Sequence, residues 1–210
     1  MPSRDEILSF DDAPPPPGTT PWVVEPVSAE IDVAEYDPRW PAQAQEISET
    51  VSAALSQRAL RIEHVGSTAV PGLAAKPVID LDLTVADPAD ERNWLPLVQG
   101  AGFVLTVREP WWHEHRMLRG GSRVDDGHVP TGGATAVNLH VFGPDSPELV
   151  KHIVFRNWLR ADESDRELYA AAKRSAAGGK AQRVMDYNAR KEAVIRDIYQ
   201  RAFRAAGFLD

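Results

Sequence analysis

The chain of 210 residues contains no cysteine, which excludes disulfides, thiolate metal sites and a cysteine nucleophile. It has no apolar run long enough to span a bilayer, and its first residues carry acids and prolines where a secretory signal needs a basic start and an apolar stretch. A cytoplasmic location without a membrane partner is therefore expected. Basic residues are the minority, 23 Lys and Arg against 31 Asp and Glu, for a net charge of −8. Broad binding to nucleic acid relies on Lys and Arg neutralising phosphates, so no nucleic acid partner is expected, while a local basic pocket remains compatible with this balance.

The length suits one α/β unit with an appended element, or two small domains. Residues 1–30 read as a disordered or loosely docked tail, because Pro14 to Pro17, Gly18 and Pro21 offer little that packs, although Trp22, Val23 and Val24 can dock on the body. Residues 31–145 read as the α/β core. Pro41 suits the first turn of a helix that carries Ala44, Ile47, Val51, Ala54 and Leu55 at spacings of three and four. Strands are predicted at Leu60–Val65, Val78–Val85, Phe103–Arg108, His113–Arg119 and Ala136–Phe142, with a helix from about Asp90 to Ala101. The breaker-rich Gly120–Gly133 is predicted to be a mobile loop. Residues 146–210 read as helices packing on the core: Ser146–Ala161, Ser164–Ala177 and Ala181 to about Ala206, with Gly178 and Gly179 between the last two.

The densest chemistry lies between His64 and Asp82. Gly66 and Ser67 can turn backbone N–H groups toward an anion, since glycine lacks the Cβ that blocks close approach. In Val78-Ile-Asp-Leu-Asp-Leu-Thr-Val85, strand alternation puts Ile79, Leu81 and Leu83 on one face and Asp80, Asp82 and Thr84 on the other. Two carboxylates about 6 to 7 Å apart repel unless a cation lies between them, and such oxygens suit Mg²⁺ or another divalent cation. The alternative is a solvated edge strand bearing two acids. Lys76 can meet a polyphosphate as a point charge or sit on the surface; His64 can donate to phosphate or fix the turn.

The runs His64-Val-Gly-Ser-Thr-Ala-Val-Pro-Gly-Leu73, Ala75-Lys-Pro-Val-Ile-Asp80 and Leu139-His-Val141 together resemble the signature of the GrpB family, placed in the nucleotidyltransferase fold superfamily. The similarity runs from about Ile31 to about Ala206 and includes Phe155–Arg160, Tyr169–Lys173 and Tyr187–Lys191. The resemblance implies an α/β (α+β) fold, a mixed β-sheet flanked by helices. It also implies a nucleoside triphosphate held at Gly66 and Ser67, Mg²⁺ on Asp80 and Asp82, and transfer of a nucleotidyl group to a small-molecule acceptor or activation of its carboxylate. Many superfamily members place a third carboxylate on a later strand, where this chain has His140. That histidine can act as a base, ligate a softer ion, or be bonded within the sheet.

Arg156 and Arg160 share a helix face and can reach a phosphate, as can Lys173 and Lys191 beside Tyr169 and Tyr187; the resemblance favours Arg156 and Lys191. Ordinary surface pairing with Asp162, Glu163, Asp165 and Glu167 is the competing explanation. Two rival functions stand beside the transferase: a catalytically weak nucleotide-binding or regulatory module of the same fold, and a metal-dependent hydrolase built on His113, His115 and His140.

Overall fold

The computed structural model describes residues 1–10, 14–121, 135–178 and 181–210. Five strands, β1 (Arg61–Val65), β2 (Val78–Thr84), β3 (Val104–Glu109), β4 (His115–Gly121) and β5 (Ala136–Phe142), form one sheet in the order β1-β2-β5-β4-β3. β2 and β5 run parallel and the other neighbours are antiparallel, so the sheet is mixed. The fold is the expected α/β arrangement. β2 is interior, with β1 on one side and β5 on the other, which rules out the solvated edge strand for Asp80 and Asp82.

Alternation along the strands gives the sheet two chemically different faces. Ile79, Leu81 and Leu83 of β2, Val137, Leu139 and Val141 of β5, Leu118 of β4 and Leu105 of β3 form the apolar face. Two helices cover it: α2 (Trp40–Leu55), which has Pro41 in its first turn and buries Trp40, Val51 and Leu55, and α3 (Glu91–Gly100), which buries Trp94 and Val98. The Trp94 indole donates to the Pro88 carbonyl at 3.2 Å, so its one polar atom is satisfied inside the core.

The other face carries the acids, and three C-terminal helices belong to its side: α4 (Pro147–Ala161), α5 (Glu163–Ala177) and α6 (Val184–Ala205). α5 starts on Asp162, whose side chain accepts from the Asp165 amide, and ends on Gly178 in the left-handed region. Arg201 of α6 and the Trp158 indole of α4 both donate to the Asp165 carboxylate, tying the three helices together.

The N-terminal segment packs more closely than a loose tail. Arg4–Leu8 forms a short helix, α1, with a capping box on Ser3 and Glu6, and Ile7 is buried against Tyr199 and Phe203 of α6. Residues 21–24 cover the open edge of β3: Val23 N donates to Thr106 O at 3.0 Å and Arg108 N to Pro21 O at 2.8 Å. Trp22, Val23 and Val24 dock on the body despite the neighbouring prolines, because an edge strand asks only for alternate backbone bonds. The expected loop at Gly120–Gly133 lies almost wholly outside the described residues, as does Gly179.

Leu139 is fully buried at the centre of β5. Leu139→Ala should lower unfolding free energy by about 2–5 kcal/mol, measured by urea denaturation with an unchanged slope.

Candidate functional site

On the polar face, strand register sets the acids beside β5: Asp80 pairs with Asn138 and Asp82 with His140. Asn138 donates from Nδ2 to Asp80 Oδ1 at 2.8 Å. One strand further, Arg119 faces Asn138 and Met117 faces His140. Asp82 is 1 % exposed, and His152 of α4 donates from Nδ1 to its Oδ2 at 2.8 Å. Burial opposes charge on His152, but the Asp82 carboxylate, with Glu148 and Asp80 behind it, holds the imidazole up at about 9.

His140 meets a different partner. Its Nδ1 lies 3.1 Å from His115 Nε2, and His115 Nδ1 lies 2.7 Å from Glu109 Oε2, so a Glu–His–His line crosses the sheet from β3 to β5. Burial and then the His115 ring push His140 down to about 4, against the pull of Asp82 and Asp80; burial and then His152 push His115 to about 3. Both rings are neutral at pH 7. Burial also raises the Glu109 carboxyl above its ordinary range.

The Gly66–Ser67 turn follows β1 directly. Gly66 has φ 68 and ψ −168, and a Cβ on it would lie 2.4 Å from Asp80 Oδ2, so the turn needs glycine both for its backbone and for its approach to the acid. Thr68 braces the turn, donating to Val78 O at 3.1 Å and meeting His64 Nε2 at 3.0 Å. Arg160 donates twice to Ala69 O from the helix side. Ser67 Oγ accepts from Lys173 Nζ at 3.1 Å. Lys173 lies 4.4 Å from the Tyr169 ring centroid, and Lys191 lies 5.7 Å from Tyr169 and 4.6 Å from Tyr187. Tyrosine and lysine thus alternate along the cavity wall.

These groups surround one cavity of about 520 Å³, which reaches from Gly66, Ser67 and Asp80 across His140 to the α5 and α6 wall, with Trp22 also in its lining. Of the residues singled out from sequence, Gly66, Ser67, Lys76, Asp80, His140 and Lys191 line it, and Asp82 lies behind them against His152. His64 and Arg156 support it from outside. His64 is bonded to Thr68 and pushed down to about 4 by burial and by Arg160 and Arg156, while Arg156 donates to Glu63 at 2.9 Å and to His64 O at 2.8 Å.

The three-histidine metal site is not assembled. His113 precedes β4 with φ 50, which breaks the alternation expected of His113 and His115, and its Nε2 is 3.9 Å from Glu148 Oε1 while His115 contacts His140. Sequence reading overlooked His152, although it stands one turn before Arg156 and two before Arg160 on the same helix face, the spacing that could have drawn attention to it.

A divalent cation fits the acidic pair. Asp82 Oδ1 is buried with no hydrogen-bond partner, an acceptor left over after His152 has taken Oδ2. Among the described residues no group of three or more His, Asp or Glu could hold a metal ion. The protein donors would be Asp80 and Asp82, in keeping with Mg²⁺ sites that draw their other ligands from water and substrate phosphates.

A family model described as GrpB protein matches residues 30–201. The chain is 40% identical over 179 residues to UPF0157 protein BH1888 of Halalkalibacterium halodurans, covering 85% of this chain and 86% of that protein. It is 32% identical to a dephospho-CoA kinase of Mycolicibacterium paratuberculosis, covering 83% of this chain but 46% of the kinase. The crystal structure of conserved protein GrpB from Enterococcus faecalis superposes with a TM-score of 0.68 at 27% identity, covering 83% of this chain and 99% of that one.

The histidines give stability a pH optimum. His152 is raised from 6.5 to about 9, so its contribution is complete below about pH 6.5 and is lost as pH rises toward 9. His64, His115 and His140 are lowered from 6.5 to about 4, 3 and 4, so theirs is present above about pH 6.5 and is lost as pH falls below it. Urea midpoints across about pH 4 to 9 should peak near the shared reference value. His152→Gln should flatten the alkaline limb and leave the acid limb in place.

Proposed function

The chain belongs to the GrpB family, and on that premise we propose that it is a nucleotidyltransferase-like enzyme that binds a nucleoside triphosphate and passes a nucleotidyl group to a small acceptor, or activates the acceptor's carboxylate. The observation that carries this reading is the convergence of the Gly66–Ser67 turn, Asp80, Lys76, Lys173 and Lys191 on one cavity. A turn that admits close approach, a carboxylate and three amines in that space make a setting for a polyphosphate and its counter-cation.

In this reading Lys76, Lys173 and Lys191 face the phosphates, and Ser67 donates to one of them once its hydroxyl turns from Lys173. Asp80 and Asp82 would hold a divalent cation, which when bound neutralises charge on the triphosphate and on the pyrophosphate that leaves. Asn138 orients Asp80 through its hydrogen bond, and His152 orients Asp82. Tyr187, Tyr169 and Trp22 give the wall aromatic surface for a base or an acceptor.

His140 favours a second reading. With Nδ1 engaged by His115, Nε2 is left to accept a proton from an attacking hydroxyl, but an imidazole held near 4 is a weak base at pH 7. The chain would then bind nucleotide and turn it over slowly or not at all, acting as a nucleotide-responsive module.

Calorimetry should show Mg²⁺-dependent binding of a nucleoside triphosphate, weakened at least about tenfold in Asp80→Ala. Pyrophosphate release with any member of an acceptor panel supports the transferase, and binding without release supports the module. If no nucleoside triphosphate binds with Mg²⁺ present, both readings fall.

A further inference from the structure

Lys173 has a feature that phosphate binding does not explain. It is 1 % exposed, its Nζ meets Ser67 Oγ and the Tyr169 ring face, and among the described residues no carboxylate forms an ion pair with it. An ammonium without a counter-charge is costly in such surroundings, and a second amine, Lys191, shares the same ring. Burial first, then Lys191 and Arg174, bring Lys173 from 10.5 down to about 6, with Asp80 pulling the other way. As a free amine, Nζ presents a lone pair, and the hydroxyl 3.1 Å from it is that of Ser67.

Ser67 is placed to attack. The positive φ of Gly66 turns the chain sharply at the end of β1, and the tight approach of Gly66 to Asp80 holds that corner against β2. The Ser67 side chain stands at the junction of a strand and a helical turn, in the lining of the cavity. Nucleophilic serines need a base within hydrogen-bond reach, and a lysine kept neutral by burial and a neighbouring cation meets that need.

We propose that Ser67 and Lys173 form a serine–lysine nucleophile pair, giving the cavity, when no nucleotide occupies it, an acyl-transfer activity toward small carboxylic esters. Ser67 Oγ forms a bond to the carbonyl carbon as its proton passes to Lys173 Nζ. The ester C–O bond then breaks, and Lys173 returns that proton to the departing alcohol oxygen. Water, deprotonated by Lys173, next attacks the acyl-serine; the carboxylic acid leaves and Ser67 recovers its hydrogen. Lys191 supplies a second cation in the cavity for the negative charge that develops on the carbonyl oxygen.

The test uses the full chain without nucleotide or Mg²⁺, with p-nitrophenyl acetate as substrate and a fluorophosphonate as trapping probe. Peptide mapping should place a single adduct on Ser67, with a labelling rate that rises through about pH 6 as Lys173 loses its proton. Lys173→Met should slow acylation by about 100-fold or more, and Lys173→Arg should not restore it, since the guanidinium keeps its proton. Methionine nearly matches lysine in volume and buries no charge, so Lys173→Met is expected to fold, which circular dichroism and a melting curve check; Ser67→Ala gives the adduct-free control. An unlabelled Ser67 in the folded wild type, or equal labelling rates in wild type and folded Lys173→Met, overturns the proposal. Labelling is read apart from nucleotide calorimetry, so each failure is recognisable by itself.

Discussion

A carboxylate in the interior of a sheet, with helices on both sides, has to meet a positive charge or several donors, because its desolvation is otherwise unrecovered. Asp82 meets that requirement through His152, and the pairing does more than satisfy one acid. It fixes α4 across β2, and with α4 come Arg156 on Glu63 and the His64 carbonyl, then Arg160 on the Ala69 carbonyl. Three side chains at successive turns of one helix thereby clamp β2, β1 and the glycine turn. The glycine corner is held by Arg156 and Arg160 from outside the cavity, while His152 is part of the cavity lining.

The two faces of the sheet divide the labour. Leu, Val and Ile beneath α2 and α3 provide nondirectional burial, which stabilises without selecting one arrangement of partners. The opposite face is directional: Asn138 to Asp80, His152 to Asp82, His115 to His140 and Lys173 to Ser67. Most of these bonds join segments far apart in sequence, so the site exists only when the whole sheet and its C-terminal helices are in place. Several of its groups also lack a full set of partners, among them Asp82 Oδ1, Asn138 Oδ1 and Arg119 Nε. Unsatisfied polar atoms beside a cavity are what a polar ligand would complete.

Much of the architecture was legible in local patterns. Alternation in Val78–Thr84 reported the two faces of β2, apolar spacing reported α2, and the small-residue run reported the turn against Asp80. What sequence could not show was the neighbour across space. His152 has no local anomaly; its meaning comes from lying over Asp82, 70 positions away. Lys173 is legible as one member of a lysine–tyrosine wall, but its contact with Ser67, 106 positions away, shows only once α5 is laid against the turn. His113 misled for the converse reason, since two histidines two apart look like one strand face, and the positive φ at His113 and Glu114 delays the strand to His115. Composition marks the N-terminal residues as a tail in which Trp22 to Val24 can dock, but does not show the unpaired β3 edge and the α6 surface that receive it.

That docking has a kinetic side. Ile7 packs on Tyr199 and Phe203, Arg4 donates to the Phe208 carbonyl, and Ala29 exchanges backbone bonds with Gln182. These contacts join the two ends of the sequence, and the pairing of residues 21–24 with β3 likewise joins segments far apart in the chain. Closure of this kind is slow compared with helix formation. A bare strand edge is the part of a sheet most prone to pairing with other molecules, and in the folded chain residues 21–24 occupy that of β3, so removing them would leave a sticky edge.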